Sequence, residues 1–216
     1  MLIIIQARTS SKRFKNKVLY KIYGKTLIEH VIDKIKKSRD AKIVVATSKN
    51  KDDDKLAKFL KKKKINYYRG SLLNVAERLF HTAKMRKKNF FMRISGDSPL
   101  IDFKLINKMS NLHKKKRNID LMTNVFPRTF PSGQSIEIIK TNTLGENLRF
   151  FSKLDKEHVT RYFYKNPKKF KIFNIKNKKK ESTQKHSIDT LKELKRICQK
   201  FSEKKFLQYS YLNEKN

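Results

Sequence analysis

The sequence predicts an α/β protein built on a doubly wound, mainly parallel sheet. The first observation is a set of short apolar runs, such as the one at residues 2–5, which are typical of strands buried on both faces. The second is that stretches with apolar residues at helical spacing separate these runs, and this alternation indicates a wound sheet. The third is size, because 216 residues, 38% of them hydrophobic, suit a single domain. We therefore expect residues 1–216 to form one domain.

The elements follow in order along the first half of the chain. After the strand at residues 2–5, a long polar loop precedes an amphipathic helix predicted over residues 26–37. Further strands are expected at residues 43–46, 65–68 and 90–95. Helices are expected to carry Leu56, Phe59 and Leu60, then Val75 to Ala83, and then Leu105 to Leu112 behind a capping Asp102.

The alternation of strands and helices ends near Asp120. A strand expected at residues 120–125 is followed by a stretch with proline and glycine and by a strand-like segment at residues 135–139. Residues 124–165 are expected to form an inserted lobe or flap rather than another strand–helix unit. A strand at residues 170–175 and a helix carrying Leu191, Leu194, Ile197, Cys198 and Phe201 complete the pattern, which is weak from about residue 206 onward.

A long cationic loop follows the first strand. Its polar and basic residues are Arg8, Thr9, Ser10, Ser11, Lys12, Arg13, Lys15 and Lys17. Open α/β sheets bind ligands at the carboxyl ends of their strands, and cations together with hydroxyl groups suit a polyphosphate. The loop therefore predicts an anion site for a nucleoside triphosphate. The alternative is a basic loop that is merely solvated.

Two groups of carboxylates are candidates for metal binding. Asp52, Asp53 and Asp54 precede a helix, where acidic residues cap amides and interact well with the helix dipole. We prefer this interpretation to a D-x-D metal motif of a sugar transferase. Asp97 lies in the turn at residues 96–99, just after a buried strand. It is well placed to hold a metal, and the alternative is a turn residue that caps its own backbone.

The chain carries a strong positive charge. There are 55 lysine and arginine residues against 19 acidic ones, a formal net charge of +36, and such a balance is typical of proteins that bind nucleic acid or anionic surfaces. The basic residues are spread along the chain, however, with short runs at residues 61–64, 114–117 and 178–180. We therefore interpret most of the charge as a solvated outer surface.

The cysteine count and the first residues exclude several classes of protein. Cys198 is alone and forms neither an intramolecular disulfide nor a cysteine metal site. Only four apolar residues precede Gln6 and Arg8, too few for a secretory signal or a membrane span. A cytoplasmic location is the resulting expectation.

Seven stretches, in order from residue 2 to residue 197, resemble the cytidylyltransferase family that includes acylneuraminate and 3-deoxy-manno-octulosonate cytidylyltransferases. The greatest similarity is to the spore-coat polysaccharide biosynthesis branch. The stretches read IIIQARTSSKR with a following KVL, VVATSKNKDDDKLA, YRGSLLNVAERL, RISGDSPLID, FPSGQSIEII, KEHVTRYFYKNP and SIDTLKELKRI. Seven ordered matches are more specific than any single motif, and they favour the anion site over the solvated loop.

The resemblance implies the Rossmann-like fold of nucleotide-sugar transferases and a reaction that transfers CMP from CTP to a sugar, giving a CMP-sugar and pyrophosphate. The implied acceptor is an acidic sugar of the nonulosonic type, or a related sugar, in surface polysaccharide biosynthesis. Mg²⁺ is the implied cofactor. A homodimer formed through residues 124–165 is implied as well, without specific nucleic acid or membrane partners.

The resemblance also implies functions for individual residues. The implied catalytic residues are Arg8, Lys17 and Asp97. Nucleotide contacts are implied for Arg8, Ser11, Arg13, Lys17, Arg69 and Arg78, sugar contacts for Gly133, Glu137, Glu157 and His158, and metal ligation for Asp97 and Asp189. Positioning and charge stabilisation dominate this chemistry. No general base is assigned, and His158 is a candidate that is more often a structural residue.

The sequence departs from the family pattern at two places. Phe14-Lys15-Asn16 stands where the family commonly has Leu-Pro-Gly, so side chains are expected to carry more of the phosphate contact. Glu193 stands where an aspartate is usual. Two alternatives remain, a basic nucleic-acid-binding protein and a catalytically inactive relative that binds sugars or partners. The joint presence of the phosphate-binding and metal-binding residues argues against the inactive relative.

Overall fold

The computed structural model describes residues 1–11, 13–116, 118–178 and 181–212. Lys12 of the cationic loop and Arg117, Lys179 and Lys180 of the basic runs lie outside the described residues. The described strands are β1 (Leu2–Gln6), β2 (Lys21–Ile22), β3 (Lys25–Thr26), β4 (Lys42–Ser48), β5 (Tyr67–Gly70), β6 (Phe90–Ser95), β7 (Leu121–Thr123), β8 (Glu137–Lys140) and β9 (Ile172–Asn174). The described helices are α1 (Leu27–Lys36), α2 (Asp54–Lys62), α3 (Val75–Met85), α4 (Phe103–Lys115), α5 (Thr141–Asn147), α6 (Lys153–Glu157), α7 (Arg161–Lys165), α8 (Leu191–Lys200) and α9 (Glu203–Gln208).

Seven of these strands form one mainly parallel sheet in the order β5-β4-β1-β6-β8-β7-β9. β1 pairs in parallel with β4 and β6, whereas β8 runs antiparallel to both of its neighbours. β2 and β3 form a separate hairpin. The prediction of an α/β fold with a doubly wound, mainly parallel sheet is confirmed. The carboxyl ends of β5, β4, β1 and β6 therefore lie along one edge.

The first strand lies at the centre of this sheet. Ile3 and Ile5 pack into the core on one face, and Leu2 and Ile4 pack into the core on the other. All four are buried, and full burial of such a side chain stabilises the fold by about 1.5–3 kcal/mol. The expected strand with two buried faces is confirmed, so the cationic loop begins from a firmly held part of the molecule.

Helices cover both faces of the sheet. Residues of α1, α2, α4, α8 and α9 pack on one face, and residues of α3, α5 and α7 pack on the other. α1 begins at a capping box in which Thr26 and Glu29 satisfy each other's backbone amides, close to the predicted start. None of the helices in the described part of the chain has the length and apolar character that a membrane crossing requires.

The stretch predicted to form an inserted lobe contributes a strand to the central sheet. β8 lies between β6 and β7, with Glu137 opposite Arg93 of β6. Helices α5 and α7 from the same stretch cover one face of the sheet. The limits of residues 124–165 as a flap or dimerisation lobe stay a prediction.

The segment after residue 201 is more firmly packed than its weak sequence pattern predicts. Phe206 of α9 and the following Tyr209 are buried. The Lys34 Nζ of α1 donates hydrogen bonds to the carbonyl oxygens of Leu207 at 3.0 Å and Tyr209 at 2.6 Å. The weak sequence pattern from about residue 206 gave no indication of this packing, because bonds from a side chain to backbone carbonyls leave no periodic signal in the sequence.

Candidate active site

At the carboxyl edge of the sheet, the side chain of Lys17 lies between two carboxylates. Its Nζ donates to Asp97 Oδ2 at 2.7 Å, to Asp189 Oδ1 at 2.8 Å and to the carbonyl oxygen of Ile188 at 3.2 Å. Burial by itself lowers the pKa of Lys17, but the two carboxylates outweigh it and the net pKa lies above its ordinary value. Three residues far apart in sequence therefore form one charged cluster, with Lys17 as its cation.

The loop that carries Lys17 folds back on itself. The Asn16 amide donates to the carbonyl oxygen of Thr9 at 2.9 Å, and the buried ring of Phe14 packs edge-on against Tyr20. Asn16 has a φ of 59°, in the left-handed region that favours glycine and that asparagine tolerates better than most residues. Asn16 thus takes a glycine-type conformation at the place where the family commonly has glycine.

A buried aspartate anchors the start of this loop. Asp53 Oδ1 accepts hydrogen bonds from the Thr9 amide at 2.6 Å and the Thr9 hydroxyl at 2.8 Å. Asp53 Oδ2 accepts hydrogen bonds from the amide and the hydroxyl of Ser48, at the end of β4. Asp53 therefore joins the loop after β1 to the end of β4, a role that sequence reasoning missed.

The expected capping by the three aspartates was wrong. The turn before α2 is capped by Asn50, whose side chain accepts from the Asp52 amide at 2.9 Å. Asp53, at the N-cap position of α2, makes no side-chain capping bond, because its carboxylate is turned toward Thr9. Asp54 instead forms an ion pair with Arg69 at 2.6 Å. The three aspartates do lie where the helical turns begin, as predicted. Their side chains, however, do not cap the helix.

Asp97 extends from the edge directly beside the loop. Gly96 packs so closely on β1 that a Cβ at this position would lie 2.9 Å from the Ala7 Cβ, and the Gly96 amide donates to the carbonyl oxygen of Gln6 at 2.9 Å. The Asp97 carboxylate accepts from Lys17 and, at 3.3 Å, from the Ser98 hydroxyl. Among the described residues it accepts from no backbone amide, so the structure does not support the turn-cap alternative.

Asp189 is held in place by both of its neighbours in the chain. The Ile188 amide donates to the carbonyl oxygen of Asp97 at 2.9 Å. Thr190 and Glu193 form a capping box at the start of α8, and Glu193 also accepts from the Asp189 amide at 2.6 Å. Glu193, one of the two departures from the family pattern, thus fixes the backbone that presents Asp189.

Cations surround the Asp189 carboxylate. Besides Lys17, Arg13 Nη2 lies 3.2 Å from Oδ1 and Lys185 Nζ lies 3.6 Å from Oδ2. Burial by itself raises the pKa of Asp189, but the hydrogen bond from Lys17 and the nearby cations outweigh it and hold the pKa below its ordinary value. Asp189 is therefore an anion at neutral pH.

Gly133 lies against the segment that leads to Asp189. Its φ is 89°, and a Cβ there would lie 2.6 Å from the carbonyl carbon of His186 and from the Ser187 amide nitrogen. The His186 amide also donates to the carbonyl oxygen of Ser132 at 2.8 Å. The structure thus places Gly133 where two backbones meet, and this accounts for glycine at the position independently of any sugar contact.

Glu137 is the centre of a buried polar network. Its Oε1 accepts from the hydroxyls of Thr160 and Tyr164, both at 2.6 Å, and its Oε2 forms an ion pair with Arg93. Burial by itself raises the pKa of Glu137, but Arg93 and the two hydroxyls outweigh it and hold the pKa below its ordinary value. Both oxygens are engaged, so Glu137 holds its neighbours in place, and a direct sugar contact stays a prediction.

Arg8, a predicted nucleotide contact, pairs with Glu157, a predicted sugar contact. Its Nη2 forms an ion pair with Glu157 Oε1 at 2.9 Å, and both side chains are partly exposed. The adjacent His158 is exposed at the end of α6. Ser11 and Arg13 lie in the loop, where Ser11 is partly exposed and Arg13 is exposed. The structure brings Arg8 and Glu157 together but does not bring His158 into the Lys17 cluster.

The two predicted nucleotide arginines differ in their surroundings. Arg69 donates to the carbonyl oxygen of Ser48 at 2.9 Å and pairs with Asp54, so protein groups already engage it. Arg78 is 2% exposed, and its Nε has no hydrogen-bond partner among the described residues. Burial lowers the pKa of Arg78 to about 10, and the charges of Asp53 and Arg8 act on it as well. Arg78 therefore keeps an unused buried donor.

Sequence reasoning also missed Arg128. Its Nη1 donates to the Ser135 hydroxyl at 3.0 Å, and no carboxylate of the described residues lies within ion-pair distance. Burial lowers the pKa of Arg128, which the nearby Glu137 only partly offsets. A single arginine among 55 basic residues carries no signal of this placement in the sequence.

The Asp97 and Asp189 carboxylates fit a divalent cation. Both contact one cation, the Lys17 ammonium, so both can reach a single ion at this place. Carboxylate oxygens suit Mg²⁺, which usually binds one or two protein carboxylates and takes its other ligands from phosphates and water. In the described part of the chain no three His, Cys, Asp or Glu residues form a metal-binding group. The donor set therefore suits a metal shared with a bound phosphate.

Comparisons with known proteins extend over nearly the whole chain. A family model described as cytidylyltransferase matches residues 2–215. Uncharacterized protein MJ1063 of Methanocaldococcus jannaschii is 34% identical over 196 residues, which cover 89% of this chain and 79% of that protein. Spore coat polysaccharide biosynthesis protein SpsF of Bacillus subtilis is 28% identical over 180 residues, which cover 80% and 73%.

One solved structure is similar to this chain in both fold and sequence. The structure of a cytidylyltransferase from Leptospira borgpetersenii has a TM-score of 0.89 and 30% identity, and the match covers 98% of this chain and 91% of that chain. Since the family match runs from the strand before the cationic loop to the segment beyond α9, it includes every element that forms the site. We conclude that this chain belongs to the cytidylyltransferase family and is a CTP-dependent nucleotidyltransferase.

Proposed function

We propose that the enzyme transfers CMP from CTP to an acidic sugar, of the nonulosonic type or a related one, and releases pyrophosphate. The observation that carries the proposal is the cluster of Lys17, Asp97 and Asp189 at the carboxyl edge of the sheet. It combines a cation that suits phosphate oxygens with two carboxylates that suit Mg²⁺. Nucleotidyl transfer depends on this combination, because positioning and charge stabilisation dominate the reaction.

In this reaction a hydroxyl oxygen of the sugar forms a bond to the α-phosphorus of CTP. The bond from that phosphorus to the bridging oxygen breaks, pyrophosphate leaves with the electron pair, and the hydroxyl proton passes to water. Lys17, Arg8 and Arg13 hold the outer phosphates, with the Ser11 hydroxyl as a further donor. Mg²⁺, when bound to Asp97 and Asp189, would neutralise phosphate charge and lower the pKa of the attacking hydroxyl.

The nucleotide and the sugar occupy opposite sides of this cluster. Arg69 and Arg78 contact the nucleotide, and the unused Nε donor of Arg78 supports this assignment. The sugar side comprises Gly133, Glu137, Glu157 and His158. Glu137 acts there through the side chains that it holds, because its own oxygens are engaged.

An acidic acceptor is supported by Arg128. Burying a charge without a partner costs free energy, and no described carboxylate pairs with this half-buried guanidinium. A carboxylate of the substrate would supply the partner, since arginine binds carboxylates through two parallel hydrogen bonds.

The biological setting is part of the proposal. The similarity to the spore coat polysaccharide biosynthesis protein supports a role in surface polysaccharide biosynthesis. Phe150 and Leu154, within residues 124–165, are 56% and 53% exposed, which supports a homodimer formed through this stretch. A cytoplasmic location is proposed because CTP is available there.

A pyrophosphate-release screen tests the reaction. Purified enzyme with Mg²⁺ is assayed with each of the four nucleoside triphosphates against 3-deoxy-manno-octulosonate, N-acetylneuraminate, neutral sugars and sugar phosphates. We expect release with CTP and an acidic sugar. Asp97→Asn should keep the fold, judged by circular dichroism, and lose Mg²⁺-dependent release, because one of the two metal carboxylates is gone.

Asp33→Asn is the matched control, since Asp33 forms an exposed ion pair with Lys25 at 2.6 Å and lies outside the cluster. It should retain full release. The same rate with every triphosphate, or an Asp97→Asn variant as active as the unmodified enzyme, would contradict the proposal.

A further inference from the structure

The ammonium of Lys17 lies where a divalent cation would bind. We propose that Lys17 fills the cation position in the nucleotide-free protein, so that a divalent cation binds Asp97 and Asp189 only after a triphosphate has drawn Lys17 away. The inference rests on the proposed function only in that a nucleoside triphosphate is the ligand that binds Lys17.

The contacts of Lys17 use its full donor capacity. An ammonium has three donors, and Asp97, Asp189 and the carbonyl oxygen of Ile188 accept from Lys17 Nζ at 2.7, 2.8 and 3.2 Å. Its side chain is 10% exposed, against 21% and 20% for the two carboxylates. The donors of Lys17 are therefore all used, and both carboxylates accept a hydrogen bond from the same mostly buried cation.

Lys17 and a divalent cation exclude each other at this place. Mg²⁺ holds its ligand oxygens at about 2.0–2.1 Å, so it needs the carboxylate oxygens that Lys17 contacts. Two cations side by side between the same carboxylates would also repel each other strongly. Entry of the metal therefore requires that the Lys17 ammonium leave.

A triphosphate is suited to cause this movement. Moving the ammonium away without a new partner would, among the described residues, leave Asp97 without a cation and Asp189 with only Arg13 and Lys185 nearby, and it would leave the ammonium itself unpaired. The outer phosphates of a nucleotide supply acceptors for the Lys17 donors, and the nucleotide phosphates supply further oxygen ligands for the metal. Nucleotide binding thus removes the obstacle and completes the metal site in one step.

The Arg8 side chain shows the same principle on the sugar side. Arg8, the second cation assigned to the phosphates, pairs with Glu157 at 2.9 Å, and Glu157 is a predicted sugar contact. A phosphate that draws Arg8 away would free Glu157 as well. The geometry therefore favours one order, in which the nucleotide binds before the metal and the sugar.

Lys185 provides a matched control. Its Nζ lies 3.6 Å from Asp189 Oδ2 and also pairs with Glu193, so it carries the same charge near the same carboxylate. It does not contact Asp97 and does not lie between the two carboxylates. Removing Lys185 tests the effect of losing a nearby positive charge. Removing Lys17 tests the effect of emptying the position between Asp97 and Asp189.

The experiment measures Mn²⁺ binding without nucleotide. Mn²⁺ is titrated into unmodified protein, Lys17→Met and Lys185→Met, and free Mn²⁺ is followed by electron paramagnetic resonance. We expect Lys17→Met to bind Mn²⁺ at least about tenfold more tightly than the unmodified protein, because the cation that contacts both Asp97 and Asp189 is gone. Lys185→Met should change the affinity by less than about threefold, since Lys185 lies 3.6 Å from Asp189 and does not contact Asp97. Adding Asp97→Asn to Lys17→Met should abolish the gain.

Equal Mn²⁺ affinity for the unmodified protein and Lys17→Met would overturn the inference, and so would an equal gain in Lys185→Met. Folding of each variant is checked by circular dichroism, and Lys17→Gln replaces Lys17→Met if that variant does not fold. Tight, saturable binding of Mn²⁺ by the unmodified protein in the absence of nucleotide would also overturn the inference. None of these measurements requires turnover, so failure of the proposed reaction in the pyrophosphate screen is a separate result.

Discussion

Arg128 is a half-buried cation whose hydrogen-bond partner is the Ser135 hydroxyl. We expect Arg128→Met to raise the KM for the acidic sugar by roughly ten- to hundredfold, since a hydrogen bond to a charged group contributes about 1.5–3 kcal/mol. The KM for CTP should stay unchanged, because the contact proposed for Arg128 is to the carboxylate of the sugar. Steady-state pyrophosphate release, with each substrate varied in turn, measures both constants.

Arg149→Met is the control for this change. It removes the same charge from an exposed residue whose guanidinium lies 4.7 Å from the centre of the Phe150 ring. Both KM values should stay within about twofold of those of the unmodified enzyme, as is usual for surface substitutions. If the KM for the sugar rises equally in Arg128→Met and Arg149→Met, or in neither, the proposed contact between Arg128 and the sugar is wrong.

Single residues also show how far the sequence predicts the site. Lys17 and Asp97 were predicted because each follows a strand with a strong apolar pattern, and the structure brings them into contact with Asp189. Asp53 was misread, because three consecutive aspartates suit a helix start and the pattern does not show which carboxylate turns toward Thr9. Arg128 was not singled out, because the burial of its side chain and its hydrogen bond to Ser135 become visible only in the folded structure.

At the scale of elements, one buried lysine fastens α9 and the residues after it to α1. Burial, together with the charge of Lys37, lowers the pKa of Lys34 from 10.5 to about 8, although Asp102 raises it slightly. The unfolded chain therefore binds more protons than the folded chain between these pH values, so the contribution of Lys34 to stability grows as the pH rises. We expect the unmodified protein to gain stability relative to Lys34→Met between about pH 8 and 10. Thermal unfolding across this range measures the difference.

Lys37→Met is the matched control, because Lys37 is exposed and its Nζ reaches the Leu207 carbonyl oxygen only at 3.5 Å. Its difference from the unmodified protein should change less with pH, because the charge of Lys37 supplies only the smaller part of the lowering of the Lys34 pKa and burial supplies the larger part. A stability difference for Lys34→Met that stays constant across the range would show that Lys34 keeps an ordinary pKa in the folded protein.

Elements were predicted best where the apolar pattern was continuous. β6 has the predicted bounds and α1 nearly so, because most of the residues that each buries are apolar. β8 looked like part of a lobe, because an antiparallel strand within a parallel sheet has no distinct pattern. α9 was missed, because Lys34 and Asp102 hold its region through backbone atoms, and backbone atoms are the same in every sequence.

At the scale of the whole molecule, the net charge of +36 is expected to be separable from catalysis. The described parts of the basic runs lie at the end of α2, at the end of α4 and after β9, in three separate places. Exchanging the exposed Lys58, Lys61 and Lys62 for glutamine should leave CMP-sugar formation unchanged. Each exchange should alter the free energy of unfolding by less than about 0.5 kcal/mol. Pyrophosphate release and chemical denaturation measure these effects.

Filter binding against salt concentration tests the nucleic-acid alternative. Weak DNA binding that falls steeply with salt is expected, since a highly positive protein attracts any polyanion. Tight binding at physiological salt that the three exchanges abolish would identify α2 as part of a nucleic-acid interface.

The contact between α1 and the segment after residue 201 joins parts of the chain that are synthesised at very different times. Lys34 bonds to the carbonyl oxygen of Leu207, 173 residues later, and the His30 ring packs against Phe206 at 4.9 Å. A ribosome adds about 5–20 residues per second, so the segment after residue 201 is synthesised roughly ten seconds or longer after α1. During that time the face of α1 that later receives Phe206 is uncovered on the nascent chain. Chaperones at the ribosome exit are therefore expected to meet this face before the protein's own residues cover it.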